Sequence, residues 1–186
     1  MRIVAGRFKG KAVDAPKGLG TRPTSDRVRE ALFNTLTYGA PEIEFEGIRV
    51  LDLFAGSGAL GLEAVSRGAR YCLFIEEDAG ARGTIRRNVE RLGLTGITKI
   101  WRRDANRLGP AGNLPPFSLV FCDPPYGTGL GAQALQAAAD GGWLGPGAIA
   151  VLEQQAGEPP DWPERLAEID RRRYGGTEIG IARFGD

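Results

Sequence analysis

Short apolar runs alternate with segments whose apolar side chains return every three or four positions. The runs are Arg49–Phe54, Tyr71–Ile75, Thr98–Arg102, Phe117–Cys122 and Ala148–Leu152. Most are short, nearly continuous in apolar residues and bounded by glycine or polar residues, as a strand covered on both faces should be. Between them, Ala59–Arg67, Asp78–Leu92 and Leu130–Ala139 carry helical periodicity, with Ile85, Val89 and Leu92 on one face of the second. Repeated β-α units predict a mostly parallel sheet with helices on both sides, an α/β fold. The end of the chain differs: Leu166–Arg173, a Tyr174-Gly175-Gly176 turn and Thr177–Phe184 predict a hairpin that closes the sheet antiparallel.

The first forty residues follow another rhythm. Arg2–Gly6 and Lys11–Val13 flank a glycine-bearing turn and predict two short strands. Pro16–Pro23 reads as a loop. Thr24, Ser25 and Asp26 are all good N-cap residues, and behind them Val28, Leu32 and Leu36 predict a helix to about Thr37. Gly39–Gly47 is a linker. This divides the chain into a small extension, residues 1–40, and a main α/β domain, residues 41–186.

Composition narrows the chemistry. A 42% hydrophobic share over 186 residues suits one compact domain with a real core. There is no histidine, so imidazole acid/base chemistry and histidine metal sites are excluded; Cys72 and Cys122 are too few for a disulfide framework or a zinc site. No metal is expected. No stretch approaches the length of a membrane span and no secretory signal precedes the first strand, so a soluble cytoplasmic monomer is expected. Net charge is only +1, yet the first 29 residues hold Arg2, Arg7, Lys9, Lys11, Lys17, Arg22, Arg27 and Arg29 against Asp14 and Asp26. A local field of that sign attracts a phosphate chain whatever the global charge. Arg7, Lys9, Lys11, Arg22, Thr24 and Arg27 are the candidate nucleic-acid contacts.

The first strand runs Val50-Leu51-Asp52-Leu53-Phe54 into Ala55-Gly56-Ser57-Gly58-Ala59-Leu60-Gly61, and Glu76 closes the second strand 20 positions after Gly56. This G-x-G-x-x-G spacing with a distal acid fits a nucleotide cofactor at the carboxyl edge of the sheet. A nicotinamide dehydrogenase is one reading. Asp52 at the strand end opposes it, because a carboxylate facing the loop repels pyrophosphate. It favours a ligand with a sulfonium, an ammonium and no phosphate: S-adenosylmethionine. Glu76 would hold its ribose and Asp104, after the third strand, its adenine amine. Phe54, Ala55, Gly56, Ser57, Gly58, Glu77 and Ala105 complete the candidate cofactor residues.

The fourth strand runs into Asp123-Pro124-Pro125-Tyr126. Two prolines fix φ and remove two backbone donors, which leaves carbonyls outward. The Asp123 carboxylate and the Pro124 carbonyl can each accept one N–H of an exocyclic base amine, whose lone pair is otherwise delocalised into the ring. Holding both hydrogens favours a pyramidal nitrogen aimed at a methyl donor. Tyr126 offers a face for the base to stack on. Cys122 reads as a small buried residue rather than a nucleophile.

With these pieces assembled, the chain resembles the bacterial 16S ribosomal RNA guanine-N2 methyltransferases, the ribosomal RNA small subunit methyltransferase D family. The likeness rests on Arg2-Ile3-Val4-Ala5-Gly6 with Lys9-Gly10-Lys11, on Arg22-Pro23-Thr24 with Arg27-Val28-Arg29-Glu30, on Leu51–Gly58, on Asp123–Tyr126 and on Tyr174-Gly175-Gly176-Thr177. The Gly141-Gly142 and Glu76-Glu77 pairs lie outside those matched motifs. The resemblance implies a class I, Rossmann-like methyltransferase sheet, S-adenosylmethionine as methyl donor and a guanine of 16S rRNA in the small ribosomal subunit as substrate. The tetrapeptide also suits an adenine-N6 DNA methyltransferase, although no separate DNA-recognition domain is present. A non-catalytic RNA-binding assembly factor is a third reading, opposed by the intact Asp123–Tyr126 loop.

Overall fold

The computed structural model describes residues 1–18 and 24–185. Its elements are α1 (Asp26–Tyr38), β1 (Arg49–Leu53), α2 (Ala59–Ser66), β2 (Tyr71–Ile75), α3 (Ala79–Arg91), β3 (Thr98–Trp101), β4 (Phe117–Cys122), α4 (Leu130–Asp140), β5 (Leu144–Gln155), β6 (Leu166–Tyr174) and β7 (Thr177–Phe184). One seven-stranded sheet has the order β3-β2-β1-β4-β5-β7-β6. Strands β1 to β5 are parallel, and β7 and β6 pair antiparallel at the end. The expected α/β class, with its closing antiparallel hairpin, is what the chain adopts.

The local signals act where they stand. Ser25 caps α1, its side chain accepting from the Val28 N–H, and Asp78 caps α3 by accepting from Ala81. Two apolar layers cover the sheet. One joins Leu32, Phe33 and Leu36 of α1 to Leu62, Ile85, Val89, Phe74 and Phe121; the other joins Ala134, Leu135 and Ala138 of α4 to Phe117, Trp143, Leu51 and Val120. Successive strand residues face opposite layers, which is why the central strands β1, β2 and β4 are nearly continuous in apolar residues, whereas β3 and β6 at the two edges carry exposed polar side chains.

Two elements differ from the sequence reading. The N-terminal strands are reduced to an antiparallel bridge between Arg2 and Ala12. Around it Ile3 N–H donates to Lys11 O and Val13 N–H to Met1 O, while other amides go to α2: Val4 and Ala5 donate to the Glu63 carboxylate, and Phe8 donates to Ser66 Oγ. Strand β5 is longer than Ala148–Leu152 because β7 pairs with it as far as Gln155↔Thr177. Pairing carries a polar tail that propensity alone would end.

Glu63 also joins a buried charge cluster. It lies 3.0 Å from Arg67 and 3.7 Å from Arg29, which itself reaches Asp26 at 2.9 Å. Arg29 is 1% exposed. It therefore does not belong with the free cations of the N-terminal segment: a fully buried guanidinium must be paired, and this one is spent on the fold.

Candidate active site

The parallel register brings the ends of β1, β2 and β3 level, Leu53 beside Ile75 and Ile75 beside Trp101. The residues that follow these strands share the carboxyl edge. After β1 the chain turns sharply: Phe54 (φ 56°), Gly56 (φ 57°) and Gly58 (φ 78°) are all left-handed before α2 begins. Left-handed backbone at a non-glycine residue is uncommon and clusters at functional loops. Here the loop is held by Ala55 N–H to Ile75 O and Gly58 N–H to Ala55 O.

The candidate cofactor acids occupy this edge in three different ways. Asp52 is 2% exposed and accepts from the Gly61 N–H at 3.0 Å, beneath the first turn of α2. It thus takes a helix N-terminal amide that a bound phosphate would otherwise use. Burial pushes its carboxyl up to about 8, against the opposing Gly61 hydrogen bond and with some help from the Glu76 charge. Gly61 has to be glycine, because a Cβ there would stand 2.5 Å from Cys72 Sγ. Glu76 is half-buried and accepts twice, from Gly56 N–H at 2.8 Å and from Asp78 N–H at 2.9 Å, so it ties the glycine loop to the end of β2. Asp104 accepts from Asn106 N–H at 2.8 Å and caps the short 3-10 turn Ala105–Arg107, in which Ala105 is buried. Glu77 is exposed, and only its backbone carbonyl is engaged, by Arg82.

At the end of β4, Asp123 is half-buried, Pro124 is buried and Pro125 and Tyr126 are exposed. Thr128 Oγ1 donates to the Pro125 carbonyl at 2.7 Å. Among the described residues, no donor reaches the Asp123 carboxylate or the Pro124 carbonyl. Burial, then the charges of Glu153 and Asp52, hold the Asp123 carboxyl well above the usual carboxylate range. Tyr126 Oη donates to Glu153 Oε1 at 3.1 Å and shares a hydrogen bond with Thr177 Oγ1 at 3.1 Å. Burial is the main reason the phenol is pushed up to about 12.

Of the candidate nucleic-acid contacts, Arg7, Lys9, Lys11 and Arg27 are exposed. Arg22 lies outside the described residues. Thr24 faces inward, its hydroxyl donating to Glu153 Oε2 at 2.8 Å.

Three residues that matter here carry no motif. Glu153 comes directly after the apolar run Ala148–Leu152, within β5 and near the carboxyl edge, a signal like that of Glu76. Glu63 interrupts an otherwise apolar helix. Asn88 is fully buried on α3 and donates to the Ser57 carbonyl of the glycine loop and to the Asp14 carbonyl of the N-terminal segment. Only the packed structure reveals the last two.

The sequence profile of the family described as Conserved hypothetical protein 95 matches residues 1–183. The chain is 33% identical over 177 residues to the ribosomal RNA small subunit methyltransferase D of Haemophilus influenzae, covering 94% of this chain and 89% of that one. It is 37% identical over 155 residues to the protein of the same name from Escherichia coli K12, covering 83% and 75%. A solved structure from Escherichia coli, described as a proposed methyltransferase, superposes with a TM-score of 0.82 at 32% identity, covering 100% of this chain and 98% of that one.

Proposed function

Because the chain belongs to the ribosomal RNA small subunit methyltransferase D family and has its Rossmann-like methyltransferase fold, we propose that it transfers a methyl group from S-adenosylmethionine to the exocyclic N2 amine of a guanine in 16S rRNA. The observation that carries this reading is the Asp123-Pro124 pair. Two acceptors without a protein donor among the described residues stand at the end of β4, next to the glycine loop on β1.

The donor chemistry of the edge fits the cofactor. Asp52 and Asp104 offer carboxylates, Glu76 a carboxylate already aligned with the loop, and none of these suits a polyphosphate. Glu76 and Asp104 would hold the ribose hydroxyls and the adenine amine, with Phe54–Gly58, Glu77 and Ala105 around them, and Asp52 would balance the cationic end through the loop. S-adenosylmethionine would supply a methyl group on a positive sulfur, the methyl–sulfur bond breaking as the N–C bond forms and its electron pair leaving on the now neutral thioether. The protein's own residues do the rest. Asp123 and Pro124 accept the two amine hydrogens and aim the nitrogen's lone pair. As the new N–C bond forms, the amine becomes acidic, and the Asp123 carboxylate takes its proton before passing it to solvent. The half-exposed ring of Tyr126 supports the base by stacking.

Residues 1–40 are proposed as the RNA-contacting extension, with Arg7, Lys9, Lys11, Arg22 and Arg27 on phosphates. Thr24 is proposed to flank the RNA path beside them, with its hydroxyl donated to Glu153 Oε2. The protein is proposed to work as a cytoplasmic monomer on the small subunit.

The test is direct. The protein is incubated with labelled S-adenosylmethionine and 16S RNA or small subunits from a strain lacking the gene, and the RNA is digested to nucleosides for mass spectrometry. N2-methylguanosine is the expected product. N6-methyladenine, or preference for duplex DNA, overturns the substrate and leaves the fold standing.

A further inference from the structure

We infer that Glu153 is a positioning residue for the reaction: its carboxylate locks the Asp123–Tyr126 loop to the N-terminal segment through Tyr126 and Thr24, beside Asp123. This inference rests on the methyl-transfer reading above and names a residue that reading does not use.

The geometry is specific. Leu152 on β5 pairs with Cys122 on β4, so the next residues, Glu153 and Asp123, emerge side by side at the carboxyl edge. Glu153 is 5% exposed. Each of its oxygens accepts one hydroxyl hydrogen, Oε1 from Tyr126 and Oε2 from Thr24, whose positions lie 27 and 129 residues away along the chain. Tyr126 is held from its other side by Thr177 of β7. Thr24 directly precedes Ser25, the cap of α1, so this one carboxylate connects the start of α1, the catalytic loop and the sheet.

A junction of this kind does two things. It fixes the direction in which the Tyr126 ring and the Pro124 carbonyl face the substrate. It also places a second carboxylate against Asp123. Burial, offset by the Thr24 and Tyr126 hydrogen bonds, raises the Glu153 carboxyl, and the charges near Asp123 are those of Glu153 from β5 and Asp52 from β1, with the Tyr126 phenol nearby. The Glu153 charge raises the proton affinity of Asp123. Asp123 is then a better acceptor for the amine proton than a solitary carboxylate.

The test is single-turnover methylation of small-subunit RNA as a function of pH, with cofactor affinity measured in parallel by calorimetry. Glu153→Gln keeps a hydrogen-bonding group for both hydroxyls and removes the charge. The acidic limb of its rate profile should move to lower pH, because Asp123 ionises more easily without a charged neighbour, while cofactor affinity stays within about twofold. Glu153→Leu and Thr24→Val should lower the single-turnover rate, the former by about tenfold or more, again with cofactor binding kept. A Glu153→Gln profile that superimposes on the wild type, or a Thr24→Val rate equal to it, overturns the inference. Should Glu153→Leu fail to fold, the other two variants still decide. A wild-type protein that methylates no RNA at any pH overturns the methyl-transfer reading instead.

Discussion

Replacing Asp52 by Asn isolates the cost of a buried charge beneath the cofactor loop. The substitution is close to isosteric, and the amide oxygen can still accept from Gly61 N–H. In the folded protein without ligand, burial raises the Asp52 carboxyl from 3.8 to about 8. At about 1.4 kcal/mol per pH unit, that displacement has a ceiling of roughly 6 kcal/mol. Relaxation and water penetration reduce it, so roughly 2–4 kcal/mol is expected. The sign follows from a raised folded value. The folded state holds the proton more tightly than the unfolded state, so the contribution is fully present below about pH 4 and is lost as pH rises towards 8. Wild type and Asp52→Asn should therefore have similar stability near pH 4. At pH 9 the variant should be the more stable, by roughly 5–15 °C in melting temperature for a chain of this size. The assay is thermal unfolding by circular dichroism across that range, without cofactor. Melting curves that run parallel at all pH values would refute the reasoning and mean that Asp52 stays ionised at little cost. The same variant should bind S-adenosylmethionine more weakly, because the asparagine side chain cannot ionise in response to the ligand's positive charge.

Asp123→Ala should abolish turnover and leave cofactor affinity nearly intact; single-turnover kinetics beside calorimetry check this, and an unchanged rate makes Asp123 structural. Glu76→Ala removes the acceptor for Gly56 and Asp78 as well as the proposed ribose contact, so S-adenosylmethionine binding should weaken by about 1–3 kcal/mol by calorimetry. Lys9→Ala with Lys11→Ala should weaken RNA binding and flatten its salt dependence, the logarithmic slope falling by about 1–2 without change in the base methylated. Glu63→Gln leaves Arg29 and Arg67 without their buried partner and should destabilise the chain by about 3–5 kcal/mol in denaturant titration.

Much of the protein is local, and what is local was legible. The central runs of β1, β2 and β4 are apolar enough to be covered on both faces, and they fold as buried strands. Phe54 to Gly58 form a tight left-handed turn because two glycines tolerate it, and the prolines of Asp123–Tyr126 stiffen their loop wherever the chain goes. Even the antiparallel finish is written in a turn and two flanking strands. What the sequence left open depends on which segments meet. Arg29 reads as one more surface cation until Glu63 of another helix is seen to bury and neutralise it. The N-terminal arms pair only around Arg2 and Ala12, and α2 takes the Val4, Ala5 and Phe8 amides with a carboxylate and a hydroxyl. Thr24 stands in the basic N-terminal segment by sequence, and the fold turns its hydroxyl inward to a carboxylate 129 residues away. Asp52 and Asp123 are ordinary acids in the sequence; burial and neighbouring carboxylates on adjacent strands set their protonation. Backbone conformation follows from neighbours along the chain, whereas burial and charge pairing follow from neighbours in space, and only the folded chain decides those.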